Sequence, residues 1–224
     1  MGDTKSISIS RLIVVPALIT LGVTILRLVG ELSHWPSPFF NAHPGGGGAI
    51  VGISWLPIVF GPYFALKLSG AGEGAASVGK AIGFAFLSLA VFVLAGFWFG
   101  ASVSHISYMT LLPLLLMLVA AFIPGIAWGA LGNTLVAYAF AARIPVVVVM
   151  FFAMHGNGGA GWGTHYDGVP PAMAHIALAK RFLYGAVLPQ MTMWIGWTAA
   201  LGSLFGTIAA AIARRGKQPA PAAV

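Results

Sequence analysis

The sequence predicts an all-α integral membrane protein, a bundle of six transmembrane helices with both termini in the cytoplasm. Three observations lead there. Hydrophobic residues make up 59% of the 224 residues and charged residues only 7%, whereas a soluble domain is roughly 25% charged. Apolar tracts recur at about the length of a bilayer crossing. The Lys and Arg residues collect at alternate ends of those tracts. With a mean hydropathy of +0.95, a soluble fold of this size would have too few charges to cover its outside. A soluble enzyme and a disordered chain are thereby excluded. The pI of about 10.2 rests on 11 Lys and Arg against 4 Asp and Glu, too dilute for a phosphate-binding face, so no nucleic-acid partner is expected. The absence of Cys rules out disulfides, thiolate metal sites and a thiol nucleophile.

Each span follows from the ~20 apolar residues that a helical crossing requires. The first is 12–30, preceded by Lys5 and Arg11. It is longer than a signal-peptide core and no small-residue cleavage site follows, so it reads as uncleaved. The second is 49–68, closed by Lys67 and a Gly-rich turn, and the third is 81–100, without a charge. The tract 106–154 holds 49 residues and a single charge, Arg143, far too long for one crossing. Pro124-Gly125 with Gly129, Gly132 and Asn133 is its natural turn, giving spans at 108–123 and 134–154. The last span, 183–213, stops at Arg214-Arg215-Gly216-Lys217. Residues 1–217 thus form one membrane domain, and the Pro/Ala-rich tail 218–224 is expected to be disordered.

Orientation follows from the basic residues. With both termini inside, Lys5, Arg11, Lys67, Lys80, Arg214, Arg215 and Lys217 are cytoplasmic, and only Lys180 and Arg181 lie outside. Short loops and this bias point to a bacterial inner (plasma) membrane; an organellar membrane would give the same pattern. The expected partners are the lipid bilayer, a second copy of the chain or other membrane proteins, since Gly202-x-x-x-Gly206 and Gly96-x-x-x-Gly100 allow close helix approach.

That topology puts all six His on the outer side: His34, His43, His105, His155, His165 and His175. Glu31 and Asp167 join them. The loop 155–171 carries five Gly between 156 and 163, with Trp162, His165, Tyr166 and Asp167, a composition for a folded loop rather than a tether. Imidazole and carboxylate serve as metal ligands and as general acids or bases. His155, His165 and Asp167 are therefore candidates both for catalysis and for a metal site. The bland alternative is an interfacial loop whose Trp and Tyr sit among headgroups. His105 and His155 flank two consecutive helices symmetrically and are candidates for holding a haem or another cofactor; either could instead simply cap its helix.

Arg143 is the sharpest anomaly, lying inside the fifth span beside Pro145. At that depth a charge costs ~2.5–3.5 kcal/mol on insertion scales and should face the interior, unless a shifted span boundary lets it snorkel. No predicted span contains a carboxylate to pair with it. Arg27 and Glu31, one helical turn apart, are expected to form a local ion pair. The lack of intramembrane acids disfavours a cation-coupled carrier, and no Walker loop, dinucleotide fingerprint or nucleophile elbow is present.

Three readings follow. The first is a non-catalytic accessory or scaffold-type membrane subunit with a folded outer loop. The second is a channel or facilitator for an anion or small neutral solute past Arg143. The third is an outer-face membrane enzyme using a His/Asp metal or acid–base site.

Overall fold

In the computed structural model, residues 7–102 and 108–215 are described; Lys5, His105, Lys217 and the tail expected at 218–224 lie outside the described residues. All regular structure among the described residues is helical. Among the described residues, five helical stretches are long and apolar enough to cross a membrane: Ile9–Leu32, Val78–Ser102, Thr110–Ala127, Gly129–Gly159 and Leu178–Arg214.

Helix α1 (Ile9–Leu32) follows its expected span and has two unlike faces. Pro16, Thr20, Thr24, Arg27 and Glu31 are buried, while Val15, Leu18 and Leu26 are exposed, as side chains facing lipid would be. The threonines need no outside partner for their hydroxyls: Thr20 Oγ1 bonds to the Pro16 carbonyl at 2.8 Å and Thr24 Oγ1 to the Thr20 carbonyl at 2.9 Å.

The second apolar tract differs from expectation. Helix α2 spans Leu56–Gly70, only 15 residues, or ~22 Å against a ~30 Å hydrocarbon layer. Pro57 sits in its first turn, where a missing N–H does no harm, and the backbone at 49–55 turns and bends instead of coiling. What α2 lacks in length it makes up in burial: Phe64, Ala65 and Leu68 are fully enclosed. It packs on α9 (Met193–Arg215). A Cβ on Gly61 would collide with the Gly202 backbone, and one on Gly206 with the Gly61 carbonyl. The Gly202-x-x-x-Gly206 face therefore serves close packing within this chain.

Helix α3 (Val78–Ser102) is followed by α4 (Tyr108–Ala120) and the short α5 (Ile123–Ala127). The turn expected across 124–133 is tighter than that. Apolar helix continues to Ala127, Trp128 alone reverses the chain at φ −145, ψ 84, and α6 (Gly129–Gly159) begins at once. Gly132 makes this possible, because a Cβ there would strike the Gly125 backbone. The last tract is interrupted: α7 (Leu178–Phe182), a π-helical turn (Leu183–Val187), α8 (Leu188–Met191), then a break at Thr192 before α9.

Both described ends of the chain meet the same turn. The Ile7 N–H donates to Glu73 Oε1 at 2.7 Å, and Arg214 Nη2 donates to the Ala75 carbonyl at 2.6 Å. Trp128 Nε1 donates to the Glu73 carbonyl at 2.8 Å. Above this end lies a dense layer in which Tyr138 meets Phe60 and Phe64 edge-on, each at 5.4 Å between ring centroids. The Tyr138 hydroxyl pairs with Thr20 Oγ1 at 2.8 Å. The opposite end carries the two long connections, 33–55 and 160–177, and is called the loop end below.

Candidate functional site

The buried face of α1 begins the site. Thr20, Thr24, Arg27 and Glu31 recur at spacings of four, three and four, the repeat that keeps side chains on one helix face. Arg27 Nε donates to Glu31 Oε1 at 2.8 Å, so the ion pair expected from sequence forms. Arg27 Nη2 also donates to the Asn41 carbonyl at 3.2 Å, tying the first loop to α1. Gly52 lies close enough that a Cβ would come within 3.0 Å of Arg27 Nη1.

Glu31 does more than pair locally. It accepts the His165 backbone N–H at 2.9 Å and stands 2.7 Å from His165 Nδ1. One carboxylate thus fastens the second loop to the end of the first span. The next residue adds a second fastening, with the Tyr166 hydroxyl donating to the Thr24 carbonyl at 3.0 Å. Burial raises the Tyr166 phenol well above its ordinary value, so it remains a donor. Burial likewise pushes the His165 imidazole below its ordinary value, the Glu31 hydrogen bond acting in the opposite direction.

The second loop shapes itself. From Gly156 the helical backbone opens, with positive φ at Asn157 and Gly158, and Gly159, Gly161 and Gly163 are also left-handed. Asp167 closes the turn, accepting from the Gly163 N–H at 3.0 Å and the Thr164 N–H at 2.8 Å, with the Thr164 hydroxyl also on it. Gly168 then touches the other loop, where a Cβ would come within 3.0 Å of Pro44.

Beneath these loops lies a cavity of about 310 Å³. Pro44, Gly45 and Pro170, all exposed, belong to its loop-end rim; Arg27, His165 and Tyr166 line it, and Arg143 and Gln190 stand deeper. Arg143 is 14 residues into α6, ~21 Å along the helix, and is only 4% exposed. Its side chain is enclosed by protein rather than extended to the surface. Nη1 donates to Gln190 Oε1 at 3.4 Å, and the guanidinium lies over the Trp194 ring, 4.5 Å from its centroid. Its Nε has no acceptor among the described residues. Among the described residues no carboxylate is within ion-pairing reach of it. The π-helical turn, Pro189 and the break at Thr192 (φ −123, ψ −72) offset the last tract where Gln190 and Trp194 meet Arg143, the kind of irregularity that recurs at functional positions.

The residues singled out from sequence are distributed unevenly. Arg143 and His165 line the same cavity. Asp167 points into its own turn, and His155 stands exposed, its Nδ1 2.7 Å from the Phe151 carbonyl and its ring 4.2 Å from the Phe151 ring. Among the described residues no three His, Cys, Asp or Glu side chains gather as a metal site; His105, the other cofactor candidate, is outside them. Gln190, Trp194 and Thr24 escaped the sequence reading, and Tyr166, read there only as part of the folded loop, is buried. A signal for two of them existed: Thr24 belongs to the polar stripe of α1, and Gln190 is a lone amide within an apolar tract.

Fold and site together define a multi-pass helical membrane protein with a solute-sized cavity, walled largely by apolar side chains and holding a guanidinium with no carboxylate partner among the described residues. Compared with protein-family models, with curated proteins and with solved structures, the chain finds no match.

Proposed function

We propose that this protein binds a small anionic solute in the loop-end cavity and passes it across the bilayer, as a channel or facilitator. Arg143 carries the reading: a buried guanidinium with no carboxylate partner among the described residues, set in the wall of a cavity of about 310 Å³. A buried charge lacking a counter-ion is strongly destabilising, and an anion in the cavity offsets that penalty. A non-catalytic accessory or scaffold subunit, the first of the readings above, would use folded outer loops but has no need of such a group.

We orient the loop end outward, with six passes and both termini cytoplasmic, in a bacterial inner membrane. Two features support this. Lys67, Lys80 and Arg214 belong to the opposite end, and both described chain ends bond to the turn between α2 and α3. The sixth pass is then the short α2 with the irregular segment 49–55 above it, irregular backbone being tolerated at membrane depth where it lines a cavity. Passage requires the Tyr138, Phe60 and Phe64 layer to move, because it closes the inner half.

The test is flux into liposomes. Wild-type protein should carry a small anion such as nitrate, and Arg143→Gln should reduce that flux at least about tenfold, the scale of one charge-assisted interaction. Equal flux through both proteins would end the reading.

One observation favours a second reading, an outer-face enzyme. Glu31 orients the His165 imidazole at the cavity wall, the arrangement of a carboxylate-supported general base. Chemical conversion of a cavity-bound solute that His165→Asn stops, with binding retained, would establish it; under the first reading His165→Asn leaves flux in place.

A further inference from the structure

The cavity also constrains which anion it takes, an argument that rests on the Arg143 reading above. Charge comes first. Arg27 faces Glu31 at 2.8 Å, so Arg143 is the guanidinium in this wall that lacks a carboxylate among the described residues. One uncompensated positive charge balances a monoanion. A sulfate or phosphate dianion would leave excess charge in an apolar enclosure.

Shape comes second. Trp194 covers one face of the Arg143 guanidinium at 4.5 Å, and Nε is enclosed, with no acceptor among the described residues. What remains for a ligand is the Nη edge of the plane, where Gln190 takes one Nη1 hydrogen at 3.4 Å and paired N–H groups can meet a carboxylate. Size comes third. On the scale where a ~150 Å³ apolar cavity holds benzene, a space of 310 Å³ holds roughly a dozen non-hydrogen atoms. A halide or nitrate would leave most of that volume unfilled. Besides Arg27, which is held by Glu31, and His165 and Tyr166, the wall offers an apolar strip: Val146 and Met150 continue the Arg143 face of α6, ~4.5 and ~10.5 Å further along, and Met173 and Met193 line the same cavity. Methionine adapts to ligand bodies of varied outline.

We propose that the cavity binds a small monocarboxylate with an apolar body, inserted head-down. Its carboxylate meets the edge of Arg143 and its body lies among Met150, Met173 and Met193. Such an acid could come from the aqueous phase or, as an acyl chain, from the bilayer; the size limit selects the former.

Titration calorimetry on the full chain in nanodiscs, with empty discs as blank, tests this. The probes share one shape and differ in charge: 4-phenylbutyrate, 4-phenylbutyramide and 4-phenylbutylamine. The acid should bind at least about tenfold more tightly than the amide, and the amine more weakly still. Arg143→Lys, which keeps the charge but not the fork, should lose most of the acid's advantage. Met150→Trp, which fills the cavity, should abolish binding of acid and amide alike. Acid and amide binding equally to the wild-type protein would overturn the proposal without reference to any variant. Hexadecanoate displacing 4-phenylbutyrate at equal concentration would overturn it too, assigning the site to a membrane acyl chain. If nitrate flux depends on Arg143 while 4-phenylbutyrate does not bind, the monocarboxylate assignment falls and the anion reading stands. If neither occurs, both fall.

Discussion

Glu31 and His165, separated by 134 positions, are joined twice: the carboxylate accepts the His165 backbone N–H at 2.9 Å and lies 2.7 Å from its Nδ1. The same carboxylate holds Arg27 at 2.8 Å. Three groups depend on one buried side chain. Glu31→Ala leaves Arg27 without that partner and releases the second loop, so stability should fall by ~3–5 kcal/mol, the range for breaking a buried pair. Thermal unfolding in detergent, with limited proteolysis in 160–177, measures this; an unchanged midpoint and an uncut loop would refute the fastening role.

The same contact predicts a pH dependence. Burial holds the His165 imidazole below its ordinary value of 6.5, against the opposing pull of Glu31 and Asp167 and with Arg27 adding to the lowering. The unfolded chain therefore binds more protons than the folded one as pH drops. The His165 contribution is fully present above about pH 6.5 and is lost as pH falls through the depressed folded value. His165→Asn should flatten the part of the unfolding midpoint's fall that appears between neutral and mildly acidic pH. A variant whose pH profile overlays the wild type would show that other groups set the dependence.

At the α2–α9 crossing, Gly61 and Gly202 are in backbone contact. Gly61→Val should push the helices apart and lower stability by ~1–3 kcal/mol or more, the range for overpacking a dense core. Gly22, with open space around its position, is the control: Gly22→Ala should be neutral or slightly stabilising. Parallel denaturation of the two variants decides it, and equal effects would remove the argument.

Trp194 supports Arg143 through its ring face, 4.5 Å away. Trp194→Leu keeps apolar bulk but removes the π surface, and should weaken the hold on the guanidinium by ~0.5–2 kcal/mol. Anion flux should fall while fold stability, measured by the unfolding midpoint, drops by no more than that amount. Full flux in Trp194→Leu would show that the ring only fills space.

Some of this architecture was legible along the chain. Arg27 and Glu31 pair as their spacing requires, because a helix places i and i+4 side by side. The apolar tracts announce helices suited to a bilayer, because lipid can satisfy no backbone group. Other features were not. The span expected to start at 49 begins as helix only at Leu56, since apolar composition does not distinguish a coiled segment from one that bends over a cavity. His155 and Asp167 share residue types with His165, but one stacks on Phe151 and the other closes its own turn.

By itself the sequence determined the all-helical membrane character, the positions of most long helices and the presence of an out-of-place guanidinium. Those properties are local: they depend on composition and on periodicity within one segment. Only the tertiary structure decided that Arg143 meets Gln190 and Trp194 from the last tract, and that Glu31 reaches His165 across the bundle. Contacts between distant segments depend on kinks, loop geometry and close glycine crossings. These become defined only when all the helices pack at once.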